Sequence, residues 1–164
     1  MTELASDFRQ AMRRLASTIS IVTAGRGDDC TGMAATAVMS VTTDPPTLIV
    51  AVNKNASIEP LLREGEVFCV NLLSERHQDL VGIFSGQKKG RERFETGAWE
   101  MHCDRPPVLN DAVTSLLCRK SGAFEVSTHV LYTGEVLEVV NHPQINPLVW
   151  VDGKFAAAAL LHVA

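Results

Sequence analysis

The spacing of apolar residues changes along the chain. Leu4, Phe8, Met12 and Leu15 recur at intervals of three or four, with Arg9, Arg13 and Arg14 off that stripe, which predicts an amphipathic helix with its apolar face in the core. The pattern then becomes strand-like. Thr18–Thr23 is β-branched and short, Gly25-Arg26-Gly27-Asp28-Asp29 supplies turn chemistry, and a second strand near Thr31–Val38 completes a hairpin. Thr47–Val52 and Val67–Leu72 are continuous apolar runs of strand length, the pattern of strands buried on both faces at the centre of a sheet. After Pro106-Pro107, strands are predicted over Val113–Arg119, Ala123–Val126, His129–Val140 and Leu148–Val151.

Short helices interrupt this series. Ser57-Ile58-Glu59-Pro60 reads as a helix start, with Ser57 as N-cap, Pro60 in the first turn and Gly65 at the end. Ser74 is placed to cap another, carrying Leu80, Val81 and Phe84 inward before Gly86 stops it. The basic run Lys88 to Arg93 follows in a loop or frayed turn, as a solvated face or a screen for a second phosphate. Many antiparallel strands with few helices argue against a doubly wound parallel sheet. The expected fold is mainly β, a small closed β-barrel with flanking helices, in which closure removes exposed sheet edges. With no internal repeat, low-complexity tract or linker, residues 1–164 are expected to form a single domain.

Composition narrows the partners. The hydrophobic content of 46% and charged content of 21% are those of a folded globular chain. A net charge of −4 gives no broad attraction for phosphate backbones or anionic lipid, so neither nucleic acid nor membrane is expected as a partner. No apolar run approaches the ~20 residues that span a bilayer, and MTELASDFRQAMRRL lacks the apolar centre of a signal peptide, so a cytoplasmic location is expected. Cys30, Cys69, Cys103 and Cys118 lie far apart without a C-x-x-C, which predicts reduced thiols, and no metal site is assigned.

Several familiar signatures are missing. Gly25-Arg26-Gly27-Asp28-Asp29-Cys30 lacks the last Gly of a dinucleotide fingerprint and leads into a strand, and neither a P-loop nor a G-x-S-x-G elbow occurs. Candidate chemistry lies instead in CTGMAATAVMSVTTDPPTLIVAVNKNAS. Gly32 to Ala37 has almost no side-chain bulk apart from Met33. Such a strand lets a flat ligand approach the backbone, or lets a neighbouring helix pack tightly, and composition does not choose. Asn53 to Ser57 follows a strand and precedes a helix start, where backbone N–H groups, the Ser57 hydroxyl and Lys54 suit an anion; equally, Ser57 suits a plain cap and Lys54 a solvated loop. His129 opens a long strand, as a structural residue or one that orients a ligand. His77, His102, His142 and His162 are read as surface or core residues.

Taken in order, FRQAMRRLASTISIVTA, GMAATAVMSVTTDPPTLIVAVNKNAS, FCVNLLS, LVGIFSG, ERFETGAWE, STHVLYTGEV and PLVWVDGKF resemble the short-chain flavin reductases, the reductase components of two-component flavin-dependent monooxygenases. The resemblance covers nearly the whole chain and implies an FMN-binding split barrel that forms a homodimer. It implies hydride transfer from NADH or NADPH to FMN or FAD, and delivery of reduced flavin to a monooxygenase. Met33, Ala34, Ala35, Thr36, Ser40 and Val41 would lie along the isoalloxazine and ribityl chain, with Asn53, Lys54, Asn55 and Ser57 at the phosphate. Phe84, Ser85 and Gly86 would border the phosphate or dinucleotide end, Phe155 would join the flavin contacts, and His129 would stand near flavin and nicotinamide as the catalytic candidate. Three positions depart from the pattern: Ala34 where Thr is common, Ser127-Thr128 where Gly-Asp precedes the His, and Ala156 where a Tyr-His pair is frequent. Related readings on the same fold are a reductase of a cobalt corrinoid or ferric chelate, and a non-enzymatic flavin- or haem-binding protein.

Overall fold

The computed structural model describes residues 2–161, so His162 lies outside the described residues. In chain order they form α1 (Glu3–Met12), β1 (Ser17–Thr18), β2 (Ser20–Arg26), β3 (Asp29–Ala35), β4 (Val38–Thr43), β5 (Pro46–Asn53), α2 (Glu59–Glu64) and β6 (Val67–Leu72). Helix α3 (Gln78–Gly82) follows, between a 3₁₀ turn at Glu75–His77 and a π turn at Ile83–Gln87, and a further 3₁₀ turn covers Gly90–Glu95. The remaining strands are β7 (Trp99–Glu100), β8 (Val108–Leu109), β9 (Thr114–Val126), β10 (His129–Asn141), β11 (Leu148–Val151) and β12 (Lys154–Ala157).

Seven strands pair antiparallel in the order β3-β2-β6-β9-β10-β5-β4. The predicted hairpin is β2–β3, closed with Arg26 opposite Asp29, and the two apolar runs become the internal strands β5 and β6. One apolar cluster draws on every strand of this sheet: Val22, Phe68, Cys118, Tyr132, Val50 and Ala35, with Val38 packed against them. The sheet is therefore rolled about a common core. Alternate residues of β2 and the segments beyond β6 face the other way, where Ile21, Leu73, Leu80, Phe84, Phe94 and Leu109 form a second cluster beneath α3. A smaller sheet, β1-β11-β12, stands beside the first.

Closure into a complete barrel, expected from the strand content, does not occur. β3 and β4 are the two edges of the seven-stranded sheet and are not paired with each other. Each commits one side to a local hairpin, β3 to β2 and β4 to β5 across Asp44-Pro45, where the peptide bond is cis. The other side of each remains without a ladder, which makes the barrel split.

Helix α1 corrects a second expectation. Leu4, Phe8, Met12 and Leu15 are 78%, 64%, 46% and 59% exposed, and no residue of the helix is buried. Periodicity identifies an apolar face but not the surface that covers it, and among the described residues no element does so. The helix is tethered at its end, where Asp152 N–H donates to the Arg13 carbonyl at 2.6 Å and Arg13 Nη2 to the Asp152 carbonyl at 3.0 Å. β9 also differs from prediction, running on through Lys120-Ser121-Gly122. Thr133 pairs with Gly122 and Gly134 with Lys120, so Ser121 is absorbed as a bulge that lets the polar segment continue the strand. All four thiols are free, and burial pushes those of Cys69 and Cys118 up to about 12. No described helix is long and apolar enough to cross a membrane.

Candidate active site

The antiparallel register of β5 and β10 sets His129 directly opposite Asn53. Two residues, Ser127 and Thr128, turn the chain from β9 into β10, and Ser127 takes φ 50, the left-handed region that favours Gly. The Thr128 carbonyl accepts the Lys54 N–H at 2.9 Å, and the Thr128 hydroxyl lies 2.9 Å from His129 Nδ1. Lys54 Nζ donates to Glu125 Oε2 at 2.8 Å, which holds the Glu125 carboxyl below its ordinary pKa. His129, Asn53 and Lys54 are thus brought together, with the lysine charge answered by a carboxylate.

Beyond β5 the backbone is largely self-satisfied. Asn53 Oδ1 accepts the Asn55 N–H and the Asn53 carbonyl the Ala56 N–H, both at 2.9 Å. These N–H groups are therefore occupied within the turn. Ser57 is not the N-cap of α2: that position falls on Ile58, with no side-chain cap bond, and Ser57 Oγ instead accepts from Arg93 Nη1 at 3.1 Å. The helix is fixed by Ile58 and Leu62, both in the main core, and by buried Glu59, which accepts from the Tyr132 hydroxyl at 3.0 Å and pairs with Arg63 at 2.7 Å. Burial first, then the Glu59 hydrogen bond, pushes the Tyr132 hydroxyl up to about 12. Ser57 stays exposed on a turn anchored by its flanks.

Arg93 was placed with the solvated basic run, and the structure corrects this: it is 6% exposed. Nη1 donates to Thr31 Oγ1 at 2.9 Å and to the Gly32 carbonyl, and Nε to the Lys88 carbonyl at 2.9 Å. Burial lowers the pKa of the guanidinium from its ordinary value. Adjacent Phe94 joins Phe84 and Trp99 in an aromatic trio with centroids 5.1 to 5.4 Å apart. The sequence held one faint signal, an arginine directly before a phenylalanine at the end of a polar run.

The small-residue strand has two functions along its length. At Gly32 a Cβ would stand 2.8 Å from the Phe84 ring, and Ala35 is buried in the main core, so these positions serve packing. Met33 and Ala34 are half-buried. Thr36 and Ser40, both exposed, line a cavity of about 420 Å³ with Ser17, Thr18, Ser20 and Val38, at the junction of the two sheets. Val41 is exposed on the same edge strand. Ser85 and Gly86 are exposed at the end of the π turn, Gly86 at φ 125. Phe155 is apart from these groups, packed on Trp150 at 5.3 Å in the smaller sheet. Of the other histidines, His77 is buried 3.2 Å from Asp111, His102 lies 3.4 Å from Glu100, and His142 accepts the Gln144 N–H.

Residues 12–159 match the family described as "Flavin reductase like domain". The chain belongs to this family. Among its relatives, the FMN reductase (NADH) RutF of Cronobacter sakazakii is 39% identical over 150 residues, covering 92% of this chain and 90% of the relative. A second RutF, from Rhizobium rhizogenes, is 36% identical over 155 residues, covering 94% of this chain and 90% of the relative. The solved structure of flavin reductase PheA2 in its native state superposes with a TM-score of 0.84 at 27% identity, over 98% of this chain and 100% of that one. The matched residues take in β3, the β5–α2 turn and the β9–β10 turn.

Proposed function

We propose that this chain is an NADH-dependent FMN reductase acting as a homodimer, with residues 1–164 as one unit. The observation that carries the reading is the course of β3. At Gly32 it is tied through Arg93 to the exposed Ser57 hydroxyl, and just beyond its end Thr36 opens on the cavity. Four residues of extended chain span roughly 13 Å, room for a ribityl chain and part of the ring it carries. The relatives named for FMN and NADH support the choice of both.

The redox chemistry is supplied by flavin, to which a hydride passes from the dihydronicotinamide. The chain contributes position. Met33, Ala34, Ala35 and Thr36 offer an unobstructed backbone, with Ser40 and Val41 across the cavity mouth and Phe155 on the neighbouring sheet. Asn53, Lys54, Asn55 and Ser57, bordered by Phe84, Ser85 and Gly86, form the polar end. His129, opposite Asn53, orients the nicotinamide. No proton transfer by a side chain is needed for hydride transfer, so the residues act by alignment and exclusion of water.

A second copy of the chain covers the apolar surfaces left open here. The α1 stripe is joined by Met39 and Val41 on the edge strand β4, and by Phe124, Val126, Val139 and Val140 on the long β9–β10 hairpin, all exposed. So many large apolar side chains on one subunit are the mark of an interface. The protein works in the cytoplasm, where its four free thiols stay reduced, and passes reduced flavin to a monooxygenase.

The test is direct. Purified protein with added FMN is expected to consume NADH steadily at 340 nm, and flavin fluorescence to saturate near one flavin per chain. Absence of both NADH oxidation and flavin binding, with FMN and with FAD, would overturn the assignment.

A further inference from the structure

The basic run Lys88 to Arg93 lies beside the cleft. Gly86 stands two residues before Lys88, the Lys88 carbonyl accepts from Arg93 Nε at 2.9 Å, and Arg93 Nη1 donates to Ser57 Oγ at 3.1 Å. The run therefore forms a rim of the polar end. Arg93 is buried, so the cations that this rim turns to solvent are Lys88, Lys89 and Arg91.

Two of these three are held by carboxylates. Lys88 Nζ donates to Glu95 Oε2 at 2.8 Å, and Arg91 Nη1 donates to Asp28 Oδ1 on the β2–β3 turn and to the Gly27 carbonyl, the latter at 3.2 Å. In both pairs the carboxylate is the more exposed partner, 65% against 34% for Glu95 and Lys88, and 94% against 53% for Asp28 and Arg91. Each pair thus presents its negative member outward. Lys89 enters no ion pair among the described residues, and neither does Glu92 three positions on, so these two charges offset each other. Across the cleft, beside His129, Lys54 is held by Glu125 in the same way. The rim is rich in basic residues and has no free attraction for a further anion.

NADPH differs from NADH by one phosphate monoester on the adenosine ribose, and a site that accepts it supplies a cation for that group. We propose that Asp28 and Glu95 set a preference for NADH over NADPH, by withholding Arg91 and Lys88 from the 2′-phosphate and by presenting negative charge to it. This rests on the flavin reading above, with the nicotinamide at His129 and the adenosine half of the dinucleotide passing along this rim. NADH has no 2′-phosphate and meets no such penalty. Selection of this kind acts against the wrong nucleotide and adds no contact to the right one. Exposed ion pairs are weak, and salt limits their reach to about 8–10 Å at physiological ionic strength, so each carboxylate has a modest effect.

The experiment measures kcat/KM for NADH and for NADPH at saturating FMN in wild type, Asp28→Asn, Glu95→Gln, the double variant Asp28→Asn/Glu95→Gln, and Asp28→Asn/Arg91→Met. Wild type is expected to favour NADH. Each single variant should raise the NADPH-to-NADH ratio by roughly 3- to 10-fold, through KM for NADPH rather than kcat, and the double variant should raise it further. Salt at about 0.5 M should erase most of that gain. Asp28→Asn/Arg91→Met should fall back toward the wild-type ratio, because the released cation is gone. An unchanged ratio in the double variant overturns the proposal, as does a wild type that uses both nucleotides equally, or a gain that survives undiminished without Arg91. If the double variant does not fold, an unchanged ratio in both single variants overturns it. Steady oxidation at an unchanged ratio is distinct from no oxidation of either nucleotide with FMN or FAD, which sinks the flavin reading and this proposal with it.

Discussion

Around Ser57 the chain ties its polar groups to its own atoms. Arg93 is clamped by three elements, α2 is pinned by Ile58 and Leu62, and Glu59 ties it to Tyr132 on β10. At the far end of β3 the same polypeptide leaves an opening unfinished: Thr36 and Ser40 face a cavity, while Met39 and Val41 beside them are 62% and 55% exposed. On the proposed reading the contrast follows from what each end would hold. Charge is recognised by a few directed hydrogen bonds, which one chain can supply from neighbouring turns. A flat apolar ring gains by area, and area on both of its faces calls for a second surface.

The contrast can be broken at its largest effect by Phe8→Glu. If a second copy covers the α1 stripe, a carboxylate there costs at least about 3 kcal/mol per site, from lost apolar burial and a stranded charge. Sedimentation velocity should then show monomers at micromolar concentration, with weakened flavin binding. A variant that sediments like wild type would show that the stripe is not part of the interface.

His129→Ala is expected to act next most strongly and at one step only. Loss of nicotinamide alignment should slow flavin reduction in stopped flow on the order of 100-fold, since hydride transfer tolerates little displacement. FMN affinity should be retained within about 2-fold. Unchanged kinetics at limiting and saturating NADH, in folded and flavin-loaded protein, would reduce His129 to a strand-end residue.

The smallest expected effect sharpens the difference between the two cations Arg93 and Lys54. Glu125 is held low first by the hydrogen bond from Lys54 and then by its charge. A depressed carboxylate contributes stability above its unfolded pKa, and that contribution disappears as pH falls through the folded value. Lys54→Met should therefore melt slightly below wild type at pH 7, with the gap closing as pH drops below about 4. The pair is exposed, so the gap is small. A gap that persists at low pH would mean that Lys54 acts by packing.

Much of this architecture is legible in the sequence where neighbouring residues agree. β5 and β6 declare themselves as unbroken apolar runs, and the β2–β3 hairpin by its glycine-rich turn, because strand burial and turn chemistry are local properties. The failures share a cause as well. The stripe of α1 looks like core because amphipathicity is the same whether a helix meets its own chain or another. Ser57 looks like a cap because the competing partner, Arg93, is 36 residues away. Arg93 itself sits in a run of charge and differs from Arg91 only in what lies above it after folding. Lys120-Ser121-Gly122 looks like a break because a bulge, which costs one unpaired residue, leaves no mark in hydropathy.

The chain has two tryptophans, one near each of the two regions compared above. Trp99 is half-buried and packed against Phe84 and Phe94, the residue next to Arg93, in an aromatic cluster. Trp150 is paired within the smaller sheet with Ser17, which lines the cavity, and is partly in water against Phe155. Their surroundings differ in polarity, so their emission differs in colour. On the proposed reading, arrival of a ligand's charged tail and of its ring would be timed separately by intrinsic fluorescence, with no label attached to the protein.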